Sequence, residues 1–212
     1  MLRMDEGHIG VDESGKGDFF GPLVIAACYV GPEHLAELEG VRDSKSLTDK
    51  RALALSVAIK NACPHVVISI GPAKYNELYE KIRNLNKLLE WGHARAIEDL
   101  LGKVSAKKVI SDQFANPAGL KRRLFEKGRQ VELVSVVRAE ADIAVAAASV
   151  LARAEFLRRL ESLGRELGCT LPKGASAPVL DAARSIVRTK GVDALKSVCK
   201  VHFKTFGQVV GP

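Results

Sequence analysis

The chain has no apolar run long enough to cross a bilayer, which would take about 20 consecutive, mostly apolar residues. Its N-terminus, M-L-R-M-D-E-G-H, lacks the apolar core of a secretory signal. A cytoplasmic protein with no membrane partner is therefore expected. The four cysteines, Cys28, Cys63, Cys169 and Cys199, include no C-x-x-C pair, which argues against the common zinc and redox patterns. Cys28 lies in an apolar segment and Cys63 at the end of a predicted helix, so buried, reduced thiols are expected. The sequence also lacks internal repeats, low-complexity tracts and long Gly/Ser linkers. One domain over residues 1–212 is expected, acting as a monomer, with residues 172–212 as a helical, basic C-terminal subregion.

The composition supplies a substantial core: 47% of the 212 residues are hydrophobic and the mean hydropathy is +0.03. Lysine and arginine total 32 against 25 aspartate and glutamate, a formal charge of +7. This excess suits a polyanionic partner, and its location says more than its total. From position 173 to 204 the bases are Lys173, Arg184, Arg188, Lys190, Lys196, Lys200 and Lys204, against only Asp181 and Asp193. A second cluster is Lys121, Arg122, Arg123, Lys127 and Arg129. Solvated helix faces explain most charge runs, but clusters beside a metal site would suit a phosphodiester enzyme.

Periodicity places strands over residues 9–12, 23–30, 65–70, 107–111 and 131–137. Helices are expected over 32–40, 49–61 with Thr48 as N-cap, 73–82, 85–101, 118–127, 178–190 and 192–199. Another should begin at the acidic stretch 138–142 and continue through the small-residue run Ala144–Ala148, and a basic tail should follow residue 199. Short connections early and strand–helix alternation later imply an α/β architecture with a mixed sheet, its opening strands antiparallel. Leu88, Leu89, Ala96 and Leu100 are core candidates. Trp91 and His93 on the same helix read as packing and surface.

Residues 10–22, G-V-D-E-S-G-K-G-D-F-F-G-P, hold the densest chemistry. Gly10 to Lys16 fits G-x-x-x-x-G-K, but Gly17 stands where a P-loop needs Ser or Thr, and Asp12 and Glu13 would meet the phosphates. Gly15, Gly17 and Gly21 are mis-spaced for a dinucleotide fingerprint. A hard-cation site and a solvated acidic turn account for the stretch about equally well. Strand side chains alternate, so the two carboxylates converge only if the strand ends or bends there, with Gly15 and Gly17 supplying the freedom.

Acids recur at Asp112, where a strand ends, and at Glu140, where a helix starts. Carboxylates gathered at one sheet edge repel each other and favour divalent cations, and paired cations suit attack on a phosphodiester. Taken singly, Glu140 and Asp142 read as helix-start residues. Taken together, and with the basic clusters, the acids point to a nuclease.

The motifs D-E-S-G-K-G-D-F-F-G-P-L-V, D-S-K-S-L-T, N-L-N-K-L-L-E-W-G-H, S-D-Q-F-A, A-E-A-D-I-A-V-A-A-A-S-V-L-A-R, L-P-K-G-A and K-V-H-F-K-T follow one another from about residue 9 to 206. In this order they resemble the type 2 ribonucleases H. Gly15-Lys16-Gly17 with Asp18, Glu140, Asp112-Gln113-Phe114-Ala115 and His202-Phe203 resemble the HIII branch. The resemblance implies a ribonuclease H-like fold with a mixed five-stranded sheet flanked by helices. It also implies an endonuclease that cuts the RNA strand of RNA–DNA hybrids to 3′-hydroxyl and 5′-phosphate ends, using two Mg²⁺ or Mn²⁺ ions. By motif position, Asp12, Glu13, Asp112 and Glu140 would be the catalytic, metal-binding carboxylates, with Asp142 as the fallback for the fourth. Ser14, Gly15, Lys16 and Gly17 would contact the RNA backbone and its 2′-hydroxyls, and Lys45 a phosphate.

Two departures from that pattern shape the expectation. HIII enzymes usually carry an N-terminal substrate-binding domain, whereas only eight residues precede the first strand here, so affinity would come from the catalytic domain and its basic C-terminal part. The segment A-S-A-P-V-L-D after Gly174 has no tyrosine where HII enzymes sense a lone ribonucleotide, so poor excision of single ribonucleotides is expected. The alternatives are an HII-like enzyme that incises at single ribonucleotides and a catalytically silent nucleic-acid-binding module.

Overall fold

Short β-rich runs make the strands of the computed structural model, which describes residues 7–41, 47–112, 117–137 and 139–211. The strands are β1 (His8–Ser14), β2 (Leu23–Val30), β3 (His65–Ile70), β4 (Lys108–Asp112) and β5 (Glu132–Val136). They form one mixed sheet in the order β3-β2-β1-β4-β5. β1 lies parallel to β4 with Val11 opposite Ser111, and β4 lies parallel to β5. All but one residue of β2 is buried, as befits a strand covered on both faces.

The helices are α1 (Asp49–Ala62), α2 (Pro72–Ile82), α3 (Leu85–Leu101), α4 (Pro117–Arg123), α5 (Ile143–Leu167), α6 (Ala177–Lys190), α7 (Val192–Val198) and α8 (Lys204–Val210). Thr48 caps α1 as expected, its hydroxyl accepting the Arg51 N–H at 3.2 Å. Leu88, Leu89, Ala96 and Leu100 are buried along α3. The cysteines are free thiols, with Cys28, Cys63 and Cys199 buried. No helix among the described residues is long and apolar enough to cross a membrane.

The chain divides into two compact units. The first comprises Met1–Glu13, Ile25–Ile68 and Leu85–Ala154 and holds most of the sheet. In it the start of α5 packs so closely on β1 that a Cβ on Gly10 would collide with the backbone of Ala144 and Val145. Ala144 and Ala146–Ala148 are fully buried there, which explains the small-residue run. On α3, a Cβ on Gly92 would come within 2.6 Å of Ile25 Cδ1 of β2. The second unit comprises Ser14–Val24, Ser69–Asn84 and Glu155–Pro212. Its core holds Phe19, Phe20, Tyr75, Val179, Ala183 and Leu195, all fully buried.

Four local expectations change. β1 continues through the acidic pair to Ser14 rather than stopping at Asp12. α4 ends at Arg123, short of residue 127, because the N–H groups of Lys127 and Gly128 bind the Glu98 carboxylate on α3 at 2.8 and 2.9 Å and draw the chain off the helix. The acidic stretch is not the start of α5: Ala139–Ala141 is a 3-10 turn and α5 begins at Ile143. The residues after 199 are not a tail, since α8 forms with Phe206, Val209 and Val210 at helical spacing.

Candidate active site

The parallel register of β1 and β4 decides the site. Val11 lies opposite Ser111, so one residue further on Asp12 and Asp112 are neighbours, and residues opposite each other in adjacent strands share a face. Gly10, two residues before Asp12, faces α5, and Asp12 faces the same helix, where its carboxylate bonds Ser149. Asp12 Oδ1 also accepts the Glu13 N–H at 2.8 Å. Burial, then the negative charges of Glu13 and Asp112, push the Asp12 carboxyl up to about 7 against the bonds from Ser149 and the Glu13 amide. Like charges are crowded here.

Asp112 is the last residue of β4, and its Oδ1 accepts the Ala139 N–H at 3.0 Å. That bond brings the turn carrying Glu140 to Asp112. The Glu140 side chain lies outside the described residues, as do Lys45 and residues 113–116, where a loop is expected from the sequence.

Glu13 does not converge with Asp12 by a bend in the strand. Because β1 stays extended, its side chain points to the opposite face. There His93 Nε2 of α3 donates to Glu13 Oε2 at 2.9 Å, with both side chains essentially inaccessible. His93 Nδ1 lies 3.2 Å from the Ser111 hydroxyl, which lies on the Glu13 face of the neighbouring strand. His93 is thus neither surface nor inert packing. It was recognisable in the sequence as a polar residue on the stripe Leu89, His93, Ala96, Leu100. His93→Leu would leave the Glu13 carboxylate buried beside an apolar side chain, and a loss of roughly 3–5 kcal/mol in unfolding free energy is expected from chemical denaturation. A loss below about 1 kcal/mol would show that the pair is not holding that charge.

Asp142 is committed elsewhere. Its Oδ1 accepts the N–H groups of Ala144 and Val145 at 3.0 and 3.1 Å, capping α5, and its Oδ2 lies 2.8 Å from His8 Nε2. Burial pushes its carboxyl up, but the His8 bond and charge and the two amides outweigh that and hold it below the ordinary value.

The glycine turn belongs to the second unit. Gly15 has φ +87° and a Cβ there would meet the Pro22 carbonyl and the Phe156 ring, whereas Gly17 needs no positive φ and faces open space. Gly21, with φ +83°, supplies the second reversal expected of Gly17. Lys16 and Gly17 are exposed at the tip.

The model of the family described as Ribonuclease HII matches residues 9–206. The chain belongs to the ribonuclease HII family. It is 47% identical over 206 residues to the ribonuclease HIII of Protochlamydia amoebophila, covering 96% of this chain and 68% of that one. To the ribonuclease HIII of Chlamydia felis it is 45% identical over 207 residues, covering 95% and 69%. The solved structure of Bst-RNase HIII in complex with Mn²⁺ superposes with a TM-score of 0.90 at 34% identity, over 97% of this chain and 70% of that one. The ribonuclease H-like fold is the expected one, and the family makes the chain a ribonuclease H.

Among the described residues, no three carboxylate, imidazole or thiol groups close into a metal cage. Asp12 and Asp112 nevertheless put hard oxygen donors on one face, and the burial and like-charge crowding that lift Asp12 are what a divalent cation would offset. These residues fit a member of a family that includes a Mn²⁺ complex.

Proposed function

We propose that this chain is a ribonuclease HIII-like endonuclease that hydrolyses the RNA strand of RNA–DNA hybrids with Mg²⁺ or Mn²⁺, leaving 3′-hydroxyl and 5′-phosphate ends. The observation that carries the reading is the placement of Asp12 beside Asp112 on one face at the end of parallel neighbours, with Asp12 held near 7. Of the four motif carboxylates, Asp12, Asp112 and Glu140 would hold two ions on one face, while Glu13, turned to the opposite face and oriented by His93, would act on them through its negative charge unless it turned from His93 to join them. Both oxygens of Asp142 are engaged, which favours Glu140 over Asp142 as a ligand. The bound ions supply neutralisation of the charge that builds on the scissile phosphate and an activated water.

Ser14, Gly15, Lys16 and Gly17 would meet the RNA strand. A bare Gly17 lets a sugar–phosphate backbone come close, and a 2′-hydroxyl offers a bond that DNA lacks. Lys45 would take a phosphate. Arg184, Arg188 and Lys190 are exposed on α6 and suit sequence-independent phosphate contacts. The protein would work as one catalytic domain, monomeric and cytoplasmic.

Two labelled duplexes test this reading. One carries an all-RNA strand opposite DNA, the other a single ribonucleotide within DNA, and each is incubated with Mg²⁺ and with Mn²⁺. Cutting of the first alone is expected. Cutting of both overturns the HIII assignment in favour of junction recognition without the tyrosine, and cutting of neither leaves a nucleic-acid-binding module.

A further inference from the structure

Lys200 belongs to the basic C-terminal segment, yet its side chain is fully buried. An ammonium removed from water costs several kcal/mol unless its donors are met. Here Nζ donates to the carbonyls of Asp18 and Gly21, both at 2.8 Å, and stands 5.6 Å from the centre of the Tyr75 ring. Burial pulls its pKa down to about 8, a sign that the fold holds this charge at a cost. Such a placement calls for a reason beyond packing, because an apolar side chain of similar length would fill the same space.

The reason lies in what the two carbonyls belong to. Asp18 and Gly21 flank the descending arm of the glycine turn, and one ammonium binding both draws that arm closed. The main chain adds to the brace: Lys200 N–H donates to Phe19 O, Gly21 N–H to Val198 O and Phe19 N–H to Gly174 O, each at 2.9 Å. Cys199 pairs antiparallel with Phe20, and Asp18 Oδ1 accepts the Gly174 N–H at 2.6 Å. Every one of these bonds falls on residues 18–21. The tip, Lys16 and Gly17, stays exposed.

We propose that Lys200 is a positioning residue for substrate recognition: it closes the 18–21 arm so that the Gly15–Gly17 tip is held ready to meet the RNA strand. The inference rests on the reading above, in which that tip touches RNA. Lys200 itself reaches neither the substrate nor a metal ligand. Its effect is on binding rather than on the chemical step.

The test compares the full chain with Lys200→Met, which fills the space without donors, and Lys200→Arg, which keeps charge and donors. Steady-state cleavage of an all-RNA/DNA hybrid gives KM and kcat, and fluorescence anisotropy without divalent ions gives hybrid affinity separately. For Lys200→Met, KM and the dissociation constant are expected to rise about tenfold, the scale of one lost charge-assisted bond. Its kcat and the Mn²⁺ concentration for half-activity should stay within about threefold of the parent, and Lys200→Arg should restore most of the affinity. A merely structural role would lower the active fraction, and so kcat, without moving KM. If Lys200→Met does not fold by circular dichroism, Lys200→Gln, which retains an amide donor, takes its place with the same expectation at smaller size. Unchanged KM and affinity in a folded variant overturn the proposal, as does a change confined to kcat. If the parent binds hybrid but does not cleave it, the nuclease reading fails, while weaker binding by Lys200→Met still supports Lys200. A parent that does not bind hybrid sinks both.

Discussion

Asp12→Asn is expected to cut hybrid hydrolysis by at least about a thousandfold while hybrid affinity stays within about threefold, since a metal site supplies several kcal/mol to the transition state. Asparagine keeps the shape and one oxygen but neither the charge nor the second strong donor, so the ions would lose their central ligand. The substitution should also change stability in the metal-free protein, with a sign that can be worked out. Asp12 titrates near 7 in the folded chain against 3.8 ordinarily, so between those values the folded state binds the proton more tightly than the unfolded state. Stability therefore falls as pH rises through this window, and the full penalty is present above pH 7. Without metal at pH 8, Asp12→Asn should melt higher by about 2–8 °C, corresponding to roughly 1–2 kcal/mol. The gap should shrink toward pH 4. Cleavage that survives the substitution would remove Asp12 from the metal site, and a gap that widens on acidification would refute the burial of Asp12 and its crowding by Glu13 and Asp112.

Gly10→Ala is expected to lose about 3 kcal/mol or more of unfolding free energy, at the upper end of overpacking costs. The added Cβ would meet the backbone of Ala144 and Val145, which cannot rotate out of the way as a side-chain tip can. Relief requires α5 to move off β1, and with it Ser149, which bonds Asp12. Activity should fall along with stability even though position 10 touches no substrate. Urea unfolding with cleavage measured on the folded fraction checks both effects. A variant within about 1 kcal/mol of the parent and fully active would mean that helix and strand are not in backbone contact at this point.

The acids most exposed to misreading were those whose neighbours lie far along the chain. Asp142 stands two residues after Glu140 and is equally acidic, so local composition offers either as a ligand. What occupies the Asp142 oxygens is His8, 134 residues away, together with two amides of α5. Glu13 was legible as half of an acidic pair, but not as the buried partner of a histidine 80 residues on. Lys200 looked like any other base in a basic segment. Only the return of its segment against residues 18–21, up to 182 positions earlier, turns it inward.

By itself the sequence determined the period of most elements, the Thr48 cap, the apolar stripe of α3 and the ordered motifs that place the chain among the type 2 ribonucleases H. These depend on neighbours within a few residues, where backbone geometry sets which side chains can meet. Only the tertiary structure decided that β1 runs on through Asp12 and Glu13 and sends them to opposite faces, that parallel register sets Asp12 beside Asp112, and that His93, Asp142 and Lys200 are engaged inside. Burial and charge at those positions come from segments brought together by the sheet and by helix packing. No local pattern encodes a desolvation that only the folded chain creates.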